Sequence, residues 1–263
     1  MAARSLWKGA LKLGSTRLPV KLYSAVQDRD IHFHVLEKRT LKRIQQHMVD
    51  PETNTEVPKE QIRKGYQLEK GVFVPLDAEE LARFQPKPSR DIEILEFVAP
   101  EKISDEWYER PYWLGPDGET AQYFAFVAAL GAQEKEGVAR WVMRNKEYRG
   151  AIRPQDGYLA LVTLRYSDEV LSPRDLKVPE TRALSKGELK MAEQLIETLR
   201  DEFRPEDFKD EYRDRVLAFI EAKAKGHKPR LRAARPKRSA ASLMDQLSKS
   251  LKVAQKEHEE KAA

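Results

Sequence analysis

The sequence contains no cysteine, and this absence excludes several kinds of site. Without cysteine a chain has no disulfide framework, no thiolate zinc site and no cysteine nucleophile. Long apolar runs are also missing. The N-terminal residues 1–14 lack the apolar stretch of a secretory signal, and no segment approaches the roughly 20 apolar residues of a membrane span. The sequence therefore predicts a soluble protein of the cytoplasm.

Charge is sorted along the chain. Residues 1–90 carry 17 Lys and Arg against 11 Asp and Glu, whereas residues 91–221 carry 19 against 28. Residues 222–238 carry 8 basic residues and no acidic one. Two separate basic parts favour a polyanionic partner. A solvated surface with a disordered tail accounts for the charge pattern equally well when that pattern is taken alone.

Residues 5–175 consist of short runs of strand length separated by turns. Four of these runs are alternating or rich in β-forming residues and predict strands: 18–23, 91–98, 138–143 and 158–164. Two helices are expected among them, at Asp77–Phe84 and Glu119–Leu130. Many short strands with few helices indicate a β-rich barrel or sandwich.

Residues 185–224 have a helical pattern instead. Ser185 and Glu188 form a capping box at the start of one amphipathic helix, and a second is expected from about Glu206. The apolar faces predict packing on the barrel or on a partner subunit. The residues on them are Leu189, Leu195, Ile196, Leu199, Phe208, Tyr212, Val216, Phe219 and Ile220.

The C-terminal tail, residues 227–263, has too few apolar residues near its start to form a core, so residues 226–239 are expected to be disordered without a partner. A short amphipathic helix is predicted at Ser242–His258. The basic residues at the beginning of the tail are candidates for binding DNA: Lys223, Lys225, Lys228, Arg230, Arg232, Arg235, Lys237 and Arg238.

Motifs for catalysis are weak. The Gly9–Thr16 segment imitates the spacing of a P-loop but lacks a lysine directly after its second glycine. His32 and His34 lie on one face of an expected strand and could begin a metal site, but structural histidines explain them better. The sequence therefore predicts no catalytic residue, no metal and no cofactor.

A basic segment at about residues 37–70 has few apolar anchors, and no Phe, Tyr or Trp lies between Lys38 and Lys64. Such a composition favours phosphate contacts over base stacking, and so sequence-independent, salt-dependent binding of duplex DNA. The candidate contacts in this segment are Lys38, Arg39, Lys42, Arg43, Lys59, Arg63 and Lys64. Lys12, Arg17 and Lys21 on the expected barrel are weaker candidates.

An ordered set of motifs over roughly residues 4–226 resembles bacterial Ku proteins. The segments that carry the resemblance are Leu6–Ala10, Arg17–Ala25, Ile31–His34, Lys64–Tyr66, Arg90–Val98, Arg144–Glu147, Glu188–Ala192, Asp207–Arg213 and Ala222–Gly226. No single motif among them is decisive, but their order and spacing are specific.

The resemblance implies a Ku-type β-barrel at residues 1–184 with a basic bridge inserted at about 37–70. It also implies a helical arm at 185–226 for dimerisation or partner docking, followed by the flexible basic tail. A protein of this kind is expected to act without enzymatic activity, as a homodimeric ring on double-stranded DNA ends at the nucleoid. It would recruit an ATP-dependent DNA ligase of the ligase D type for non-homologous end joining.

Three other functions stay open from the residues. A nucleoid-associated protein that coats DNA would bind closed circles as well as linear DNA. A lyase would use a desolvated lysine to form a Schiff base at a damaged end. A protein scaffold would use the helices and tail and show no salt-sensitive DNA binding.

Overall fold

The computed structural model describes residues 4–176, 185–226, 247, 248 and 250–253. The chain divides into two compact units, Met1–Asp175 and Leu176–Ala263. Among the residues described, every helix is too short or too polar to span a bilayer.

The strands lie in the first unit. They are β1 (Trp7–Leu13), β2 (Thr16–Ser24), β3 (Lys64–Glu69), β4 (Val72–Leu76), β5 (Asp91–Val98), β6 (Tyr108–Pro116), β7 (Glu136–Met143), β8 (Lys146–Gln155) and β9 (Tyr158–Leu164). The four predicted strands are confirmed, and β5 and β9 have the predicted bounds.

Seven strands close into a barrel in the order β1-β2-β6-β9-β8-β7-β5, and β3 and β4 form a separate hairpin. Neighbouring strands of the barrel are antiparallel except β1 and β5, which run parallel and complete the ring. Closure leaves no unpaired edge in this sheet. The predicted β-rich fold is therefore confirmed, as a barrel.

The closure depends on Gly9. The Ala10 N–H donates to the Arg90 carbonyl oxygen at 2.8 Å, and the Arg90 guanidinium donates to the Lys8 carbonyl oxygen at 3.1 Å. A Cβ atom on Gly9 would lie 2.2 Å from the Arg90 carbonyl oxygen and 2.0 Å from the Trp7 ring. Only glycine lets β1 approach the chain before β5 this closely. Residues 9–13 of the P-loop-like segment lie in strand β1 and not in a phosphate-binding loop. Barrel closure therefore explains the glycine at position 9.

The barrel interior is filled by inward-facing apolar side chains. Leu18, Val20 and Leu22 alternate with partly or fully exposed residues along β2, as a strand with one buried face requires. Trp141 of β7 is 1% exposed and stacks on Tyr148 of β8, with ring centroids 5.4 Å apart. The core is formed by the barrel strands together with Tyr123, Val127 and Leu130 of the helix at Thr120–Ala132, so all of its members lie in the first unit.

Among the described residues, four α-helices have both ends defined: α1 (Ala78–Ala82), α2 (Thr120–Ala132), α3 (Lys186–Thr198) and α4 (Glu211–Ala224). Helix α2 lies against β8 and β9. Its Tyr123 is fully buried, donates its hydroxyl hydrogen bond to the Leu114 carbonyl and accepts one from the Leu159 N–H at 2.9 Å. These bonds attach α2 to two strands of the barrel.

The predicted helix starts at Asp77, Glu119 and Ser185 are confirmed, and the one at about Glu206 is wrong. Asp77 and Ser185 cap α1 and α3, each with a reciprocal capping box. Helix α4 begins at Glu211 rather than about Glu206, because Pro205–Asp207 forms a 3₁₀ turn and Asp210 caps the helix by accepting from the Arg213 N–H at 2.9 Å. Phe208 therefore precedes α4.

The expected strand at His32 and His34 is also wrong. Residues 27–35 form neither a strand nor a helix, and both imidazoles are exposed in the single chain. Within the part of the chain that the structure describes, no cluster of three or more His, Cys, Asp and Glu side chains is arranged to hold a metal ion.

We predict that G9A destabilises the fold by about 1–3 kcal/mol, the usual effect of adding a methyl group where none fits. The G65A variant is the matched control, since a Cβ there has its nearest neighbour at 3.5 Å, an ordinary contact. Urea denaturation measures both. Equal stability of the two variants would contradict the role given to Gly9.

Candidate nucleic-acid interface

Residues 25–90 leave the barrel as one excursion, which contains the predicted bridge at 37–70. The chain departs after Ser24, at the end of β2, and returns at Asp91, at the start of β5. The excursion includes the β3–β4 hairpin and α1, and none of its residues is buried in the single chain. A segment of this length with no core of its own is typical of a binding element rather than a folding unit.

A hydrogen-bonded turn gathers the first cations of the bridge. Leu36 and Arg43 pair across it, and Glu37 accepts hydrogen bonds from the backbone and hydroxyl of Thr40. Leu41 has a φ of 54°, which reverses the chain. We call residues 36–43 the basic turn, because it presents Lys38, Arg39, Lys42 and Arg43 together.

A second turn, residues 49–56, carries the opposite charge. Asp50 accepts hydrogen bonds from the backbone N–H groups of Glu52 and Thr53 at 2.8 and 3.1 Å. The bonds from Thr53 and then Glu52 lower the pKa of the Asp50 carboxyl. Glu56 pairs with His47 across the turn. We call this segment the acidic turn. The bridge therefore contains a basic turn followed by an acidic turn, a division of charge that its overall basic composition did not reveal.

Most of the predicted phosphate-contacting cations of the bridge have no carboxylate partner among the described residues. Arg39 lies 3.6 Å from Glu37, and Arg63 lies 3.5 Å from Asp77. For the other five predicted contact residues, no carboxylate among the described residues comes within 4 Å: Lys38, Lys42, Arg43, Lys59 and Lys64. Unpaired, exposed cations are the groups that exchange counterions for phosphate.

A hollow of about 1240 Å³ opens between the two turns and residues 58–64. Its lining mixes Arg43, Lys59 and Arg63 with apolar side chains. The apolar ones are Phe33, Val35, Ile44, Met48, Val57 and Ile62. In the single chain Phe33 and Met48 are each 68% exposed, which is unusual for side chains of this size.

The barrel cations are in a different electrostatic state from those of the bridge. Lys21 lies 2.6 Å from Asp117, Lys12 lies 3.3 Å from Glu93, and Arg17 pairs with Asp91. The hydrogen bond to Asp117 raises the pKa of Lys21, and the same bond lowers the pKa of Asp117. The three weaker candidates for DNA contacts are therefore already neutralised by neighbouring strands.

The apolar faces predicted for the helical arm are largely exposed. Leu195, Val216 and Phe219 are half-buried. The remaining side chains of the predicted set are exposed in the single chain: Leu189, Ile196, Leu199, Phe208, Tyr212 and Ile220. Phe208, at 73% exposure, and Ile196, at 71%, are the clearest cases.

The predicted tail cations lie mostly outside the described residues. Lys223 and Lys225 are exposed at the end of α4, and Gly226, with a φ of 80°, follows them. The remaining predicted cations are outside the described part: Lys228, Arg230, Arg232, Arg235, Lys237 and Arg238. Of the expected helix at Ser242–His258, residues 247, 248 and 250–253 are described, and they are helical.

Comparison with known proteins identifies the family to which this architecture belongs. A family model described as the Ku70/Ku80 beta-barrel domain matches residues 12–191. The chain belongs to the Ku family. The match includes most of the barrel, the whole bridge and the first part of α3, so the barrel and the excursion are both features of this family's domain.

Individual relatives match the chain over nearly its whole length. The non-homologous end joining protein Ku of Anaeromyxobacter sp. (strain K) is 39% identical, over 99% of this chain and 89% of that protein. The non-homologous end joining protein Ku 2 of Geotalea uraniireducens (strain Rf4) is 37% identical, over 96% and 99% respectively. The corresponding protein of Solibacter usitatus (strain Ellin6076) is 33% identical, over 99% and 97%.

One buried polar cluster of the Ku barrel was not predicted from the sequence. Glu136 is 2% exposed, accepts a hydrogen bond from the Tyr108 hydroxyl at 2.7 Å and lies 3.5 Å from Arg153. Burial, and then the bond to Glu136, raises the pKa of Tyr108 to about 12. The cluster joins β6, β7 and β8. Residues so far apart in sequence give no local signal of this contact.

Proposed function

We propose that this chain binds the ends of double-stranded DNA as a homodimeric ring in non-homologous end joining. The observation that carries the proposal is the Ku domain match together with a bridge whose cations are exposed and mostly lack a carboxylate partner in the described part of the chain. The relatives are named for non-homologous end joining, and their similarity extends over nearly the whole chain.

Phosphate contacts suit this task because a protein that accepts any broken end gains nothing from reading bases. We assign these contacts to seven of the bridge cations: Lys38, Arg39, Lys42, Arg43, Lys59, Arg63 and Lys64. A dimer that neutralises roughly six to ten phosphates would lose about 10³–10⁵ in affinity between about 50 and 200 mM salt. The tail cations, where they reach DNA, would add to the same salt dependence.

Exposed apolar side chains support the dimer. The hollow beside the bridge and the helices of the arm both present large apolar groups to solvent in the single chain. Contiguous exposed apolar surface of this kind marks protein interfaces. In the proposed ring, the arm embraces the partner subunit, and the two bridges close around the duplex.

Joining also requires a phosphodiester bond to form, and we assign that step to another protein. The proposed partner is an ATP-dependent DNA ligase of the ligase D type, recruited by the ring. Helices α3 and α4 and the terminal segment are the candidate surfaces for this contact. In this scheme the chain supplies topology and electrostatics, and the ligase supplies the chemistry.

The bridge assignment predicts that K42A/R43A weakens binding to a short blunt-ended duplex. Each phosphate contact that is lost should make the slope of log K against log[salt] shallower by about 0.9, for up to about four contacts in a dimer. Fluorescence anisotropy over a salt series measures the slope.

The matched control for this prediction is K102A/K135A. It removes the same charge, and both lysines are exposed near the end of β5 and the start of β7, at the opposite end of the barrel from the excursion. Equal losses for the two variants would show that net charge, and not the bridge, governs binding.

The dimer assignment predicts that the wild-type protein has twice the 30.4 kDa mass of the chain when measured by light scattering. I196D should shift the protein toward the monomer, because it places a charge on the exposed apolar face of α3. Q194D adds the same charge on the opposite, polar face and should stay dimeric. A wild-type monomer, or an unaffected I196D dimer, would contradict the assignment.

A further inference from the structure

The outer wall of the barrel next to the excursion is built from β2, β1, β5 and β7. Strand β1 lies between β2, where the excursion leaves, and β5, where it returns. We call the outward face of these four strands the barrel wall. Five cations lie on it: Lys8, Lys12, Arg17, Lys21 and Arg140. A wall with this many cations would by itself be a strong phosphate-binding surface.

All five cations form ion pairs, and their partners are three carboxylates. Asp117 holds two lysines, with Lys21 Nζ 2.6 Å from one oxygen and Lys8 Nζ 3.4 Å from the other. Glu93 likewise holds Arg140 at 2.7 Å on one oxygen and Lys12 at 3.3 Å on the other. Asp91 pairs with Arg17.

The pairs come from different strands, so the fold itself supplies them. Asp91 and Glu93 project from β5 toward cations of the adjacent strands β1 and β7 and of β2, which lies beyond β1. Asp117 follows β6, and its N–H donates to the Pro19 carbonyl of β2 at 3.1 Å, which fixes its position beside Lys21. Bonds to Arg140 and then Lys12 lower the pKa of Glu93, so that it is ionised wherever DNA binding is measured.

A paired cation contributes less to DNA binding than a free one. Its counterion is a protein carboxylate, which is not released into bulk solvent when a phosphate approaches, so the entropic gain of counterion release is missing. The carboxylate also repels the phosphate at short range. The barrel wall and the bridge thus differ in kind, since five bridge cations have no carboxylate within 4 Å among the described residues.

We propose that Asp91, Glu93 and Asp117 are specificity-determining residues that compete internally with phosphate for the barrel wall. This inference rests on the proposed function, because it concerns which cations of a DNA-binding ring contact phosphate. The carboxylates confine strong phosphate contacts to the bridge. They keep the wall from holding the side of a duplex, so that binding depends on encirclement and the ring is free to move along the DNA.

Asp117 offers the sharpest test, because one substitution releases two lysines. In D117N, Lys8 and Lys21 gain access to phosphate, and linear duplex binds more tightly. The slope of log K against log[salt] becomes steeper by about 0.9 for every added contact, and so by up to about 4 in a dimer with four released lysines. D156N is the matched control. It removes the same charge from the β8–β9 turn, on the other side of the barrel, and should leave the slope unchanged.

A second substitution shows whether the released lysine acts directly. K21M alone should change the slope little, because Lys21 is already neutralised, whereas K21M in the D117N background should remove about half of the gain. A merely structural role of Asp117 would not give this pattern. Thermal denaturation of each variant confirms that the compared proteins are folded.

The outcomes separate this inference from the proposed function. An unchanged slope in D117N, or an equal change in D156N, would overturn the role of the carboxylates while leaving end binding intact. Wild-type protein that shows no salt-sensitive DNA binding would instead overturn the proposed function. The inference also predicts that closed circular DNA competes better for D117N than for the wild type.

Discussion

The parallel pairing of β1 with β5 is the interaction on which the rest of the structure depends. It closes seven strands into a barrel, and it requires glycine at position 9 because the Arg90 carbonyl oxygen occupies the space that a side chain would need. The same pairing places the exit of the excursion on one side of β1 and its return on the other. Both ends of the excursion are therefore anchored in strands of one wall of the barrel, although none of its own residues is buried.

Closure also separates the cations into two classes. On the barrel wall, neighbouring strands bring carboxylates within ion-pair distance of every cation described above, as with Asp117 and Lys21. On the excursion, five cations of the bridge have no carboxylate within 4 Å among the described residues. The distinction arises from topology rather than from composition. It concentrates the capacity to bind phosphate on the bridge.

Local patterns predicted much of the fold. The bounds of β5 and β9 follow from alternation and β-rich composition, and the start of α3 follows from the Ser185–Glu188 capping box. Pairings between distant residues left no such signal. The Glu136 cluster and the carboxylates of the wall depend on which strands become neighbours. The error at α4 had a local cause, since Asp210 and not a residue near Glu206 caps that helix.

A competition between two forms of one plasmid tests the central claim most directly. Protein bound to labelled linear duplex is challenged with equal masses of linear or covalently closed circular DNA over a salt series. A ring that threads onto ends should be displaced by the linear form, and closed circles should displace it poorly at every salt concentration. Equal displacement by the two forms would show that the protein coats DNA along its length, and would contradict the account.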